Sequence, residues 1–209
     1  ADAAGKEADA AVTDIVVSHL YKAFDGKRVL SDFSAVFPAK TTTAVMGHSG
    51  VGKTTLLRIL MGLEAMDGGT ITGIQGARLA VVFQEDRLLE FMTPVGNIRL
   101  TAPSLSKEII RKELTAMGLG GCMTQPVREL SGGMRRRVAI LRALLAESDV
   151  LLLDEPFKGL DEETKACVIE RTRALSAGKT VVLVTHDERE AKAMGAGIIE
   201  LEARLIRLI

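Results

Sequence analysis

The sequence lacks a charge excess, a long hydrophobic run and a cysteine pair spaced for a metal, and each absence excludes something. Twenty-seven Lys and Arg balance 27 Asp and Glu over 209 residues, so no diffuse field draws the chain to nucleic acid or to an acidic membrane. Any polyanion must be held at a local site. Cys122 and Cys167 are far apart and lack CxxC spacing, so they read as reduced structural thiols. The longest apolar runs, such as Val150–Leu153 and Val181–Val184, fall far short of the ~20 residues a membrane span needs. Residues 1–13 (ADAAGKEADAAVT) have no basic stretch leading into an apolar one. They are not a secretory signal and are expected to form a flexible tail on a cytoplasmic protein. Hydrophobic residues at 47% and charged residues at 26% suit a globular domain with its own core.

What is present is an alternation of apolar runs and helical patterns. Runs rich in Val, Ile and Leu occur at Ile15–Leu20, Ser34–Phe37, Thr43–Met46, Leu79–Phe83, Val150–Leu153 and Val181–Val184. The last three are almost wholly apolar, as strands covered on both faces must be. Helices are expected at Lys53–Met61, Val95–Leu100 behind Pro94, Lys107–Met117, Gly133–Leu145 and Glu162–Leu175, the last capped by Asp161. Arg135–Arg137 read as a solvated helix face. The order predicts an α/β fold with a β-rich N-terminal lobe and an inserted helical lobe at about residues 87–145, in one domain over 14–209.

Gly47-His48-Ser49-Gly50-Val51-Gly52-Lys53-Thr54 matches G-x-x-x-x-G-K-[ST] between an apolar strand and an amphipathic helix. Gly50 and Gly52 let successive backbone N–H groups turn inward as an anion nest. The helix N-terminus adds its partial positive charge. Lys53 reaches the β- and γ-phosphates, and the Thr54 hydroxyl ligates Mg²⁺. Asp154 and Glu155 emerge at the end of Val150–Leu153, at the strand edge where open α/β sheets bind ligands. Asp154 is placed to hold Mg²⁺, and Glu155 to polarise the attacking water. A kinase or a GTPase could use this much.

Further segments narrow the reading. Leu130-Ser131-Gly132-Gly133-Met134 resembles the LSGGQ signature of the ATP-binding cassette (ABC) ATPases. Asp154-Glu155-Pro156-Phe157-Lys158-Gly159-Leu160-Asp161 is similar to the family's Walker B end and D-loop. Val82-Phe83-Gln84 resembles its Q-loop, Thr185-His186-Asp187 its H-loop, and Phe24 stands where the family places an aromatic under adenine. The motifs stand in family order over about residues 14–205.

The resemblance implies the P-loop NTPase core of an ABC ATPase, with ATP and Mg²⁺ as cofactors. It implies ATP contacts from Phe24, Gly47, His48, Ser49, Gly50, Val51, Gly52, Lys53, Thr54, Thr55 and Gln84, and metal ligation by Thr54, Gln84 and Asp154. Glu155, His186 and Lys53 would carry catalysis, His186 sensing the γ-phosphate. Ser131, Gly132, Gly133 and Met134 would close on the nucleotide of a second cassette, next to a D-loop ending at Asp161. A nucleotide-sandwiched homodimer or paired cassette follows.

Such ATPases, when alone on a chain, mostly serve bacterial importers at the cytoplasmic face of the membrane. The implied partners are separate permease subunits and an extracytoplasmic substrate-binding protein, with no nucleic acid. Val82-Phe83-Gln84-Glu85-Asp86-Arg87-Leu88-Leu89 resembles the nitrate, sulfonate and taurine importer group, from whose usual Pro-Trp Glu90-Phe91 departs. An exporter ATPase is the alternative; a non-transport ABC protein would bring a second cassette or a long coiled-coil insertion. Met134 replaces the usual Gln of the signature, but Ser131 and the glycine amides remain, so hydrolysis should survive. His48 stands where the family often has Pro.

Overall fold

A computed structural model describes residues 13–202. The expected tail, apart from Thr13, lies outside the described residues. Two sheets organise the chain. An antiparallel one places β1 (Ile15–Phe24) between β2 (Lys27–Phe37) and β4 (Gly68–Thr72). A parallel one runs in the order β5 (Leu79–Val82), β6 (Val150–Asp154), β7 (Thr180–Val184), β3 (Thr42–Met46) and β8 (Gly197–Glu200).

The parallel sheet is apolar because both its faces are covered. Side chains alternate along each strand. Ala44, Met46, Leu151, Leu153, Val181 and Leu183 enter one core. Val45, Val150, Leu152, Val182 and Val184 enter the other. The second core is closed by α1 (Lys53–Leu60) and by the antiparallel lobe through Ile15, Val17, Leu20, Leu30 and Phe37. The first is closed by α2 (Pro94–Arg99), α3 (Lys107–Ala116), α4 (Gly132–Leu145), α5 (Glu162–Leu175) and α6 (Glu188–Ala193). β6 and β7 are buried throughout, but β5 is an edge strand with Leu79 and Val81 only half-buried.

Helix ends follow their caps. Thr93 accepts from Gly96 N with Pro94 at the first helical position. Ser106, Ser131 and Asp161 cap α3, α4 and α5 in the same way. None of the described helices is long and apolar enough to cross a membrane.

The differences from expectation have local causes. β2 begins at Lys27, well before Ser34, because the Asp25-Gly26 turn folds it back on β1. Its mixed burial leaves no apolar run to read. β4 and β8 are short and hold through their partners' hydrogen bonds. Arg135–Arg137 are not a solvated face. Arg136 is 5% exposed, because it shares the stripe of Ile140 and Ala143 that α4 turns toward the core.

Candidate nucleotide site

The site grows from the C-terminal edge of the parallel sheet. After β3 the chain turns through Gly47–Gly52 into α1. Gly52 sits at φ 112°, and a Cβ there would meet Val29 Cγ1 at 2.9 Å and Val29 O at 3.0 Å, so only glycine fits the entry to α1. We expect Gly52→Ala to cost about 1–3 kcal/mol in backbone strain and to weaken ATP binding, read from thermal melting and nucleotide titration. A stable variant with full ATP affinity would refute this account of the loop.

Lys53 is buried, and its Nζ donates to Gly47 O at 2.6 Å and to His48 O at 3.0 Å. The ammonium therefore lies across the Gly47–Gly52 loop. A cavity of about 320 Å³ opens over it. Ser49, Gly50, Gly52, Lys53, Thr54 and Thr55 line its floor, and Phe24, Gln84 and Glu155 line its walls. Val51 instead packs into the core, and Gly47 and His48 lie off the cavity wall, His48 with its ring nitrogen 2.9 Å from Ser49 O.

Asp154 is buried at the end of β6. Burial pushes its carboxyl up, and neighbouring Glu155 adds to this. A hydrogen bond from the Thr54 hydroxyl and the charges of Arg136 and Lys53 pull it down, with the net shift upward. A carboxylate so placed gains from a bound cation. Glu155 follows at φ 44° with its N–H donating to Val184 O at 2.9 Å. This left-handed conformation is unusual for a side chain that size. Its Oε1 lies 3.3 Å from His186 Nδ1. Its Oε2 is buried and accepts no well-aligned hydrogen bond, facing Lys158 Nζ at 3.3 Å as an ion pair. Burial pushes the Glu155 carboxyl up, but Lys158 and His186 outweigh it and hold it below the ordinary glutamate value.

His186 is presented by the turn into α6. The buried Thr185 hydroxyl donates to Glu190 at 2.6 Å and accepts from Asp187 N. Arg189 holds the capping carboxylate of Asp187 down to about 2, so it stays charged through the physiological range. Phe24 ends β1 with 41% of its surface exposed, and Lys22 Nζ stands 4.8 Å from its ring centroid. Lys22 is itself buried against Glu64 at 2.7 Å. One cation contact thus anchors the ring at the mouth of the cavity.

The structure gathers Phe24, the Gly50–Thr55 stretch, Gln84, Asp154, Glu155 and His186 at one edge. It leaves the signature elsewhere. Ser131 and Gly132 are exposed, none of Ser131–Met134 lines the cavity, and Met134 N donates to Ser131 Oγ at 3.3 Å. Asp161 caps α5, accepting from Thr164 N. Sequence reading missed Lys22, Val29, Val184 and Arg136, which no local motif marks; Val29 and Val184 line the cavity.

Comparison with known proteins agrees with this geometry. The ABC transporter family matches residues 30–158. Over 192 residues the chain is 41% identical to an aliphatic sulfonates import ATP-binding protein of Agrobacterium fabrum, covering 88% of this chain and 74% of that one. It is 37% identical over 199 residues to a taurine import ATP-binding protein of Escherichia coli, covering 88% and 78%. A bacterial Atm1-family ABC exporter solved with ATP bound shares the fold at a TM-score of 0.78 and 22% identity, over 92% of this chain and 37% of that one. The chain belongs to the ABC transporter family and is one of its ATP-binding, ATP-hydrolysing subunits.

Proposed function

We propose that this chain energises a bacterial importer of small organic sulfonates, bound to the cytoplasmic face of the membrane through separate permease subunits. An extracytoplasmic substrate-binding protein would deliver the sulfonate. Residues 14–209 form one cassette in this reading, with the helical lobe at about 87–145. One observation carries the ATPase reading: the phosphate loop and Glu155 line one cavity, and the buried Asp154 adjoins Glu155 at the end of β6. The relatives named above supply the import direction and substrate class.

The roles follow from placement. The loop amides and Lys53 bind the phosphates, and Phe24 stacks on adenine with no base-edge hydrogen bond, so selectivity among bases is loose. Glu155 accepts a proton from the attacking water at Oε2, and His186 steadies Oε1 and the γ-phosphate. Lys158 must move aside for that oxygen to act. For Mg²⁺ the donor set fits: Thr54 and Asp154 already share a hydrogen bond, Gln84 borders the same cavity, and all offer hard oxygens. When bound, the ion neutralises phosphate charge. Ser131–Met134, outside this cavity, serve the ATP of a second copy in a nucleotide-sandwiched dimer.

Uptake of labelled taurine or an alkanesulfonate tests the substrate class. A strain lacking this chain should lose it, and the wild-type chain, but not Lys53→Ala, should restore it. Undiminished uptake of both compounds overturns the assignment.

The segment after Gln84 suits a permease helix. Leu88 packs on the core, but Leu89 is 52% exposed and Phe91 78% exposed, beside the nucleotide-facing Gln84. An apolar seat linked to the nucleotide site is what a docked helix needs. Leu89→Glu with Phe91→Glu should lower transport and co-purification with the permease by at least about tenfold. Basal ATPase of the isolated chain should stay within about twofold, since exposed changes barely move stability. Intact transport would place the docking surface elsewhere.

A further inference from the structure

Arg136 reaches out of α4 to acceptors on two segments remote from it in sequence. Its Nε donates to Pro156 O at 2.7 Å. Its Nη2 donates to Asp154 O at 3.1 Å and Glu155 O at 2.7 Å. Its Nη1 donates to Phe83 O at 2.6 Å and lies 3.4 Å from Gln84 O and 3.3 Å from Asp86 Oδ1. A guanidinium has five N–H donors in a rigid fork, and here the fork spans both loops. Arg142, on the same helix, donates to Asp86 O and Arg87 O. The carbonyls along residues 83–87 are thus held largely from α4.

A buried guanidinium is costly unless its donors are satisfied. Apart from the Asp86 carboxylate, the acceptors are backbone groups of the two stretches that carry Gln84 and Glu155 to the cavity. Glu155 is held at φ 44°, and the bond from Arg136 to its carbonyl fixes the peptide that aims its side chain. At the N-terminus of the same helix, five residues or about 7.5 Å away, Ser131 caps α4 and stands in the signature stretch.

We propose that Arg136 is a positioning residue that locks Gln84 and Glu155 of one ATP site to the signature serving the other. The state of one phosphate site then passes along α4 to its neighbour. This rests on the dimer reading given above.

The test is sedimentation of the Glu155→Gln protein over a range of ATP concentrations, with and without Arg136→Lys. Lysine keeps the charge but is a point donor that cannot span both loops. The ATP needed for half-maximal dimerisation should rise at least about tenfold, as expected for losing charge-assisted hydrogen bonds. Affinity of the single cassette for ADP should stay within about twofold, since none of the cavity residues is altered. Coincident ATP curves overturn the proposal, and so does an equal loss of ADP affinity, which marks plain structural damage. A second variant, Asp86→Asn, removes the half-buried counter-charge and leaves the carbonyl bonds. It should shift the curve the same way by about threefold, and no shift counts against the lock. Should Glu155→Gln alone stay monomeric in ATP, the dimer reading itself fails. Failure of the lock alone leaves that control dimeric.

Discussion

Glu155→Gln is expected to bind ATP as the wild type does and to hydrolyse it at least about 10²-fold more slowly. The substitution keeps the shape and removes the base. The main chain at Glu155 is fixed by the bond from its N–H to Val184 O and by Arg136 on its carbonyl, and neither depends on the carboxylate. Gln at this position therefore sits in the same backbone geometry. The groups proposed to bind phosphate, Lys53 and the loop amides, lie on a separate element, so affinity should be unchanged. What disappears is an oxygen able to take a proton from water at Oε2. Steady-state phosphate release and nucleotide titration measure the two properties separately. Turnover near the wild-type rate in the variant would remove Glu155 from the mechanism.

Ser131→Arg is the second large effect, and it comes from a residue that touches no part of its own cavity. Ser131 is exposed at the start of α4, so the arginine meets solvent and not the core. Loss of the cap costs about 1 kcal/mol, which a domain of this size tolerates. ADP binding by the single chain should be unaffected. Yet ATPase should fall by about 10²-fold, because in the proposed dimer a long cation would block the signature amides from the partner's γ-phosphate. A short-range structural role predicts the reverse pattern, with melting temperature lowered and activity kept. Measuring both on one preparation separates the two.

The candidate phosphate site was legible in the sequence because the residues that build it are local. Gly52, Lys53 and Thr54 are consecutive, and Asp154 and Glu155 adjoin a strand marked by its apolar run. The caps at Ser131 and Asp161 act within three residues, so their geometry follows from spacing alone. Met134 contributes its amide to the Ser131 cap, and any residue but proline supplies that bond.

What stayed hidden depends on partners far along the chain. Arg136 lies in a run of three arginines, which composition assigns to solvent. Its burial is set by carbonyls about 20 and 50 residues away, a relation no pattern on α4 reports. Lys22 looks like one polar residue in a strand, and only the fold brings Glu64 and Asp67 to it. β4 and β8 carry too few apolar residues to announce themselves and exist by pairing with β1 and β3. β5 reads as doubly covered because its side chains are apolar, although its place at the sheet edge follows from topology.

Sedimentation velocity of the Glu155→Gln protein, run with ATP, with ADP and with neither, tests the central claim most directly: that each signature completes the other copy's site. The account predicts a dimer with ATP only, and a monomer with ATP once Ser131→Arg is added. A monomer in all three conditions, or an ATP-dependent dimer that survives Ser131→Arg, would contradict it.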